Sequence, residues 1–154
     1  MNGLLDSKAT LPDLKSLTRL KEGTNSIQIS LPSPSGQIIS LSDDRFKNKV
    51  VVVELMGSWC PNCMDETAML SKFYKQYRNK GVEVLALAYE YSTDFERSRK
   101  SIDRFRKRFD VQYPMLVTGV TVTDEKRAEK TLPQLTGIHY FPSTIFVGKD
   151  GTVR

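Results

Sequence analysis

Val50-Val51-Val52-Val53-Glu54-Leu55-Met56 runs directly into Gly57-Ser58-Trp59-Cys60-Pro61-Asn62-Cys63, and the reading of this stretch decides the fold. Its first seven residues are β-branched or long and apolar apart from Glu54, the length and character of a buried strand. A helix beginning at Cys60 follows, with Pro61 in the first turn, where a missing N–H leaves nothing unpaired. Both cysteines of the 154-residue chain lie here, two residues apart. Free N–H groups and the positive end of the helix dipole then point at the Cys60 sulfur and favour the thiolate, the form of cysteine that attacks a disulfide. Cys63, three residues along the helix, comes within disulfide distance and is the more buried of the two. The pair reads as a redox dithiol in which Cys60 attacks and Cys63 resolves.

Other uses of the two cysteines fit less well. A purely stabilising disulfide across so short a loop removes little unfolded-state entropy. Zinc needs about four ligands, yet there is no third cysteine and His139 is the single histidine. No metal site is expected. A peroxidase-type cysteine would follow a proline at the position that Leu55 occupies.

With Glu54 six residues before the first cysteine and Trp59 just before it, Val50 to Cys63 resembles the active-site strand and helix of the thioredoxin superfamily. More narrowly, it is similar to the TlpA/ResA-like thiol-disulfide oxidoreductases. Further along the chain the resemblance is carried by the lead-in from Ile27 to Ser40, a central βα insertion, Phe141-Pro142-Ser143-Thr144, the strand Ile145-Phe146-Val147 and the turn Lys149-Asp150-Gly151. It implies a thioredoxin-like α/β fold over residues 26–154: a central mixed sheet flanked by helices, with an N-terminal β-hairpin. Residues 1–25 are expected to be a loosely ordered segment. The C-terminal strand and helix of such a fold are expected to be truncated, leaving the sheet partly bare near Phe146.

The resemblance also assigns roles. Pro142 is expected to be cis and, with Phe141, to present backbone to a substrate segment; the plain alternative is a trans proline opening a strand. Trp59 shields the dithiol and, with Pro61, meets the partner, or else is an ordinary core tryptophan. Pro61 and Asn62 between the cysteines help set the redox potential. Glu54, a carboxylate within an apolar strand, is driven towards its neutral form, as a general base for the Cys63 thiol requires. Against this, it tilts to solvent or pairs with Lys49. His139 lies near Pro142 in the chain, but a lone loop histidine is more often solvated.

Elsewhere the pattern is read from periodicity. Ile27–Ile29 and Gln37–Ile39 are expected to pair across the turn Pro32-Ser33-Pro34-Ser35-Gly36. Met69, Leu70, Phe73 and Tyr77 give the active-site helix an apolar face ending at Asn79-Lys80-Gly81. A strand follows from Val82 to Ala88. Phe95, Ile102, Phe105 and Phe109 mark a second helix opened by Thr93-Asp94, then a strand from Tyr113 to Val117 and a short helix from Thr123 to Lys130. Residues 11–20 are expected to include a short helix after Pro12. Alternating strands and helices argue a largely parallel sheet.

Net charge is +5, with Arg97, Arg99, Lys100, Arg104, Arg106, Lys107 and Arg108 crowded on the second helix. Such a cluster could contact nucleic acid or an anionic membrane surface; it reads rather as a solvated face, since no nucleic-acid motif or aromatic platform accompanies it, with steering of a partner by the patch left open. No apolar run approaches the length of a membrane span, and the N-terminus lacks the pattern of a signal peptide. Relatives of this branch are typically exported, so the resemblance implies a periplasmic or otherwise exported protein whose leader, and any membrane tether with it, is absent from this sequence.

The sequence thus points to a thiol-disulfide oxidoreductase exchanging electrons between the Cys60–Cys63 dithiol and protein disulfides, with a separate redox partner and no cofactor beyond its own redox-active disulfide. The alternative is a redox-inert thioredoxin-like module that binds proteins through Trp59 and the Pro142 loop.

Overall fold

The alternation of side chains along two central strands organises the molecule, which a computed structural model describes at residue 13 and over residues 17–154. β3 (Val50–Met56) and β4 (Val82–Ala88) are parallel, in register Val50 to Val82 through Met56 to Ala88. Val51, Val53 and Leu55 face one hydrophobic core together with Leu85 and Leu87. Val52 and Met56 face a second core with Val84, Ala86 and both cysteines. With both faces covered, the two strands read as near-continuous apolar runs, each interrupted by one buried glutamate, Glu54 in β3 and Glu83 in β4, rather than as alternating patterns.

α1 (Pro61–Tyr77) and α2 (Phe95–Arg108) cover the second face, where Leu70, Tyr74, Ile102 and Phe105 pack over the sheet. Strand order is β5-β4-β3-β6, with β5 (Met115–Val117) parallel to β4 and β6 (Ser143–Val147) antiparallel to β3. The sheet is therefore mixed, and one antiparallel edge matters for function. Because β6 runs against β3, its first residue pairs with Leu55, which places Pro142 at the end of β3 from which the dithiol helix departs.

Turn chemistry terminates the elements as the sequence implies. Asp94 caps α2 by accepting the Arg97 N–H at 2.7 Å. A 3-10 turn over Arg78–Lys80 extends α1 until Gly81 stops it at φ 82°, a left-handed conformation that glycine adopts without strain. The turn at residues 148–151 closes through Gly148 N–H to Thr152 O at 2.8 Å.

Several expected boundaries move. The hairpin pairs β1 (Ser30–Pro32) with β2 (Ile38–Ser40), whereas Ile27 and Ile29 lie outside the ladder and in the first core. Its turn, with Ser33 N–H on Gln37 O, fixes register by counting outwards, so that Ile38 and Ile39 pair with Pro32 and Leu31 while Ile27 and Ile29 are buried but unpaired in the ladder. On α1 the inner face is Cys63, Thr67, Leu70, Ser71 and Tyr74, while Met69 is 60% exposed. Two hydroxyl residues sit on that inner face because each has a partner: Thr67 donates to Glu54 and Ser71 to Asp110 O. β5 begins only at Met115, after Pro114, which lacks an N–H to pair. α3 is confined to Arg127–Thr131 because the Asp124 carboxylate takes the Lys126 N–H and holds the preceding residues in a turn.

The helix expected over residues 11–20 lies largely outside the described residues; residues 17–20 are irregular and end in a bridge between Leu20 and Leu135. Residues 19 to 25 are tied by backbone hydrogen bonds to Gln134, Thr136 and Val153. Among the described residues no helix is long and apolar enough to cross a membrane. Phe146, on edge strand β6, is 51% exposed.

Candidate active site

The dithiol sits where β3 ends and α1 begins. Cys60 is the residue that caps α1, and its Sγ accepts the Cys63 N–H at 3.2 Å, so the first turn of the helix does point a donor at this sulfur. Both cysteines are free thiols. Cys60 is 3% exposed and Cys63 is sealed at 0%, the order expected for an attacking and a resolving thiol. Burial pushes the Cys63 thiol far up, helped by its hydrogen bond with Cys60. It therefore stays protonated unless a base takes the proton.

Opposite the cysteines lies the loop before β6. The Phe141–Pro142 peptide bond is cis, as the resemblance implies. Cys60 Sγ lies 3.7 Å from Phe141 O, where the thiol donates weakly to that carbonyl. Trp59 Nε1 donates to Tyr89 O at 2.8 Å, and its half-buried ring leans on Tyr91 at 5.1 Å and on Phe141 at 6.1 Å. Trp59 is thus held at the rim of the site and not inside the core. Pro61, in the first turn of α1, is exposed beside it.

Glu54 lies on the α1 face of β3 and is fully buried. Thr67 Oγ donates to its Oε1 at 3.0 Å and Tyr113 Oη to its Oε2 at 3.4 Å. Burial lifts the carboxyl from 4.5 to about 7; the Thr67 hydrogen bond opposes the rise, the charge of Glu66 adds to it, and Tyr113 opposes it weakly. The competing reading fails on both counts, since Glu54 does not reach solvent and Lys49 pairs instead with Glu83 at 3.5 Å. Its charge also bears on Cys63, raising that thiol further.

The sequence profile of the AhpC/TSA family matches residues 23–154. The chain belongs to the AhpC/TSA family. Thiol-disulfide oxidoreductase ResA of Bacillus thuringiensis subsp. konkukian is 29% identical to it over 133 residues, covering 86% of this chain and 65% of that protein. ResA of Bacillus subtilis is 23% identical over 134 residues, covering 87% and 65%. The chain therefore spans about 65% of the length of these curated relatives. A solved thiol-disulfide oxidoreductase from Bacteroides fragilis superposes with a TM-score of 0.67 at 21% identity, covering 84% of this chain and 87% of that one. A secreted Mycobacterium tuberculosis disulfide oxidoreductase, described as homologous to E. coli DsbE, gives 0.61 at 18% identity, covering 82% and 81%. The shared fold is thioredoxin-like, and in this AhpC/TSA-family chain the Cys60–Cys63 pair occupies its active-site position.

Sequence reading passed over several residues of this family site. Glu66 accepts the Thr144 hydroxyl and so ties α1 to the start of strand β6, two residues after Pro142. Its signal was available: three residues after Cys63 on a helix, it shares that cysteine's side. Glu90, two residues past β4, is 8% exposed and accepts both the N–H of Ser58 at 2.9 Å and its hydroxyl at 2.6 Å. This buried carboxylate fixes the loop that carries Trp59. Thr67 and Tyr113 are the partners without which Glu54 would be an unsatisfied buried acid. His139 stays on the surface against the Tyr140 ring, 6.5 Å between centroids, and no hydrogen bond or ion pair joins it to the cysteines. Among the described residues no group of three or more His, Cys, Asp or Glu side chains is placed to hold a metal ion.

Gly57 is the close approach that lets Trp59 fold back. A Cβ there would lie 2.1 Å from Trp59 Nε1 and 2.5 Å from Cε2. The indole cannot move away without releasing Tyr89 O. Gly57→Ala is therefore expected to lower stability by about 1–3 kcal/mol, read as a lower urea midpoint together with loss of the tryptophan near-UV dichroism. An unchanged midpoint and spectrum would show that the ring has room to shift.

Proposed function

We propose that the chain is a thiol-disulfide oxidoreductase passing two electrons between its Cys60/Cys63 dithiol and protein disulfides. One observation carries the reading: an attacking thiol at a helix cap and a sealed thiol three residues on, above a buried carboxyl that titrates at about 7. In the reducing direction the Cys60 thiolate attacks one sulfur of the substrate disulfide, forming a mixed disulfide and releasing one substrate thiolate. Ionised Glu54 then accepts the Cys63 proton, and the Cys63 thiolate attacks the Cys60 sulfur. The Cys60–Cys63 bond forms and the second substrate thiolate leaves. Phe141 and Pro142 supply the backbone that an extended substrate meets, with Trp59 and Pro61 flanking it. A second redox protein returns the site to its starting state. Placement outside the cytoplasm is supported by the secreted Mycobacterium tuberculosis neighbour.

A redox-inert binding module would have no use for Glu54. A buried acid held by only two hydroxyl donors destabilises the fold above its pKa, and an apolar residue would serve a docking surface better. The test is equilibration of the protein in glutathione buffers of graded poise, with the Cys60–Cys63 disulfide quantified by mass after acid quench. A reversible two-electron couple within the range of about −270 to −120 mV known for such proteins is expected. A pair that stays reduced at every poise, or forms only glutathione adducts, would overturn the reading.

A further inference from the structure

Helix α2 carries seven basic and two acidic side chains, a surplus as large as the net charge of the whole chain. The charges are not spread evenly round it. Arg99 is paired with Glu96 at 2.7 Å and with Asp103 at 3.4 Å, and Arg106 lies 3.7 Å from Asp103. Both acids thus neutralise one edge of the helix, the edge that faces Ser33 and Pro34 of the hairpin turn. Arg97, Arg104 and Arg108 recur at the spacing of a single helical stripe on another edge, all three are exposed, and none has an ion-pair partner among the described residues.

That uncompensated edge borders the dithiol. Arg104 and Arg108 line a groove of about 230 Å3 whose other walls include Ser58 and Met64. Ser58 is two residues before Cys60 and Met64 immediately follows Cys63, so the groove begins at both ends of the active-site motif. The nearby carboxylate of Glu90 is engaged by Ser58 N–H and Oγ. Met64 and the buried Phe105 give the groove an apolar floor under two guanidinium groups.

We propose that this groove selects substrates: it receives an acidic stretch of the substrate protein, Asp or Glu side chains next to its disulfide, on Arg104 and Arg108, with Arg97 extending the field. The inference rests on the oxidoreductase reading above and specifies its substrate class. A positive edge flanking the reacting sulfur raises the rate of encounter with an acidic partner and disfavours a basic one. The interaction is screened by salt because the guanidinium groups are exposed.

The experiment compares three synthetic disulfide peptides of one scaffold, with Glu, Gln or Lys beside the cysteines, by the second-order rate at which the reduced protein reduces each. At low ionic strength the Glu peptide is expected to react about tenfold faster than the Gln peptide, and the Lys peptide slowest. Half-molar salt is expected to erase the order, and R104E/R108E to reverse it. R99E/R106E, on the neutralised edge, serves as the control for overall charge. Equal rates for the three peptides would overturn the docking proposal and leave the redox reading standing. Failure to reduce any of them would overturn both. A loss of preference as large in R99E/R106E would assign the effect to bulk charge and sink the groove. Phosphatidylserine vesicles bound through Arg104 and Arg108, with peptide rates indifferent to charge, would give the stripe to a membrane instead.

Discussion

Cys63→Ser is expected to convert the protein from a catalyst into a trap. Cys60 still attacks a substrate disulfide, but a serine hydroxyl cannot displace the substrate sulfur, so the mixed disulfide persists. Turnover of a disulfide substrate is expected to fall by about three orders of magnitude, and non-reducing electrophoresis with intact mass should show a one-to-one covalent adduct. Cys60→Ser should give no adduct at all. Because position 63 is fully sealed, the introduced hydroxyl is itself expected to destabilise by about 1–3 kcal/mol. Cys63→Ala separates the two effects: it removes the resolving thiol without burying a polar group. Sustained turnover in both Cys63 variants would show that Cys60 works without a partner.

The second large effect belongs to Glu54, whose carboxyl stands at about 7 in the folded protein against an ordinary 4.5. At a pH below 4.5 the group is protonated in both folded and unfolded chains, and stability carries no penalty from it. Between 4.5 and 7 the unfolded chain gives up its proton first, so the folded state is the one that binds more protons and stability falls as pH rises. The loss is complete above the folded value and amounts to about 3 kcal/mol. Glu54→Gln keeps the size of the side chain and an acceptor for Thr67 but does not titrate. Chemical denaturation of the reduced variant should therefore show a flat profile from about pH 5 to pH 8 and, at the upper end, a gain of about 2–3 kcal/mol over the parent. The same variant should resolve mixed disulfides about a hundredfold more slowly at neutral pH, and its pH–rate profile should lose the inflection near 7. A parallel stability curve in the two proteins would mean that Glu54 is not the titrating group.

Together these variants test the part of the site that was legible in the chain. Glu54, Trp59, Cys60, Pro61 and Cys63 fall in one short run, so strand, turn and helix start fix their relation locally. Pro142 was legible through its motif, and the antiparallel pairing of β6 with β3 brings it to the cysteines. What escaped depends on contacts between distant segments. Glu90 meets Ser58 across 32 positions and Tyr113 meets Glu54 across 59; neither has a local pattern. Met69 was placed inside because it is apolar, and Thr67 was overlooked because it is not. The helix instead turns inward the hydroxyl that the buried acid needs. The basic helix was read as solvent-facing, which its exposed arginines support; helical spacing pairs Glu96 and Asp103 with Arg99 and Arg106, but what the opposite edge borders depends on packing against the distant Ser58 and Met64.

The complete enclosure of Cys63 bears also on how the protein withstands chemical damage. On the roles proposed for the pair, a peroxide molecule would meet Cys60 first and oxidise its sulfur to a sulfenic acid, which a second peroxide would drive towards irreversible sulfinic acid. Held one helical turn away, Cys63 condenses with the sulfenic acid, expelling water and closing the intramolecular disulfide. Oxidative injury at this site thus ends in a form that an ordinary reductant repairs.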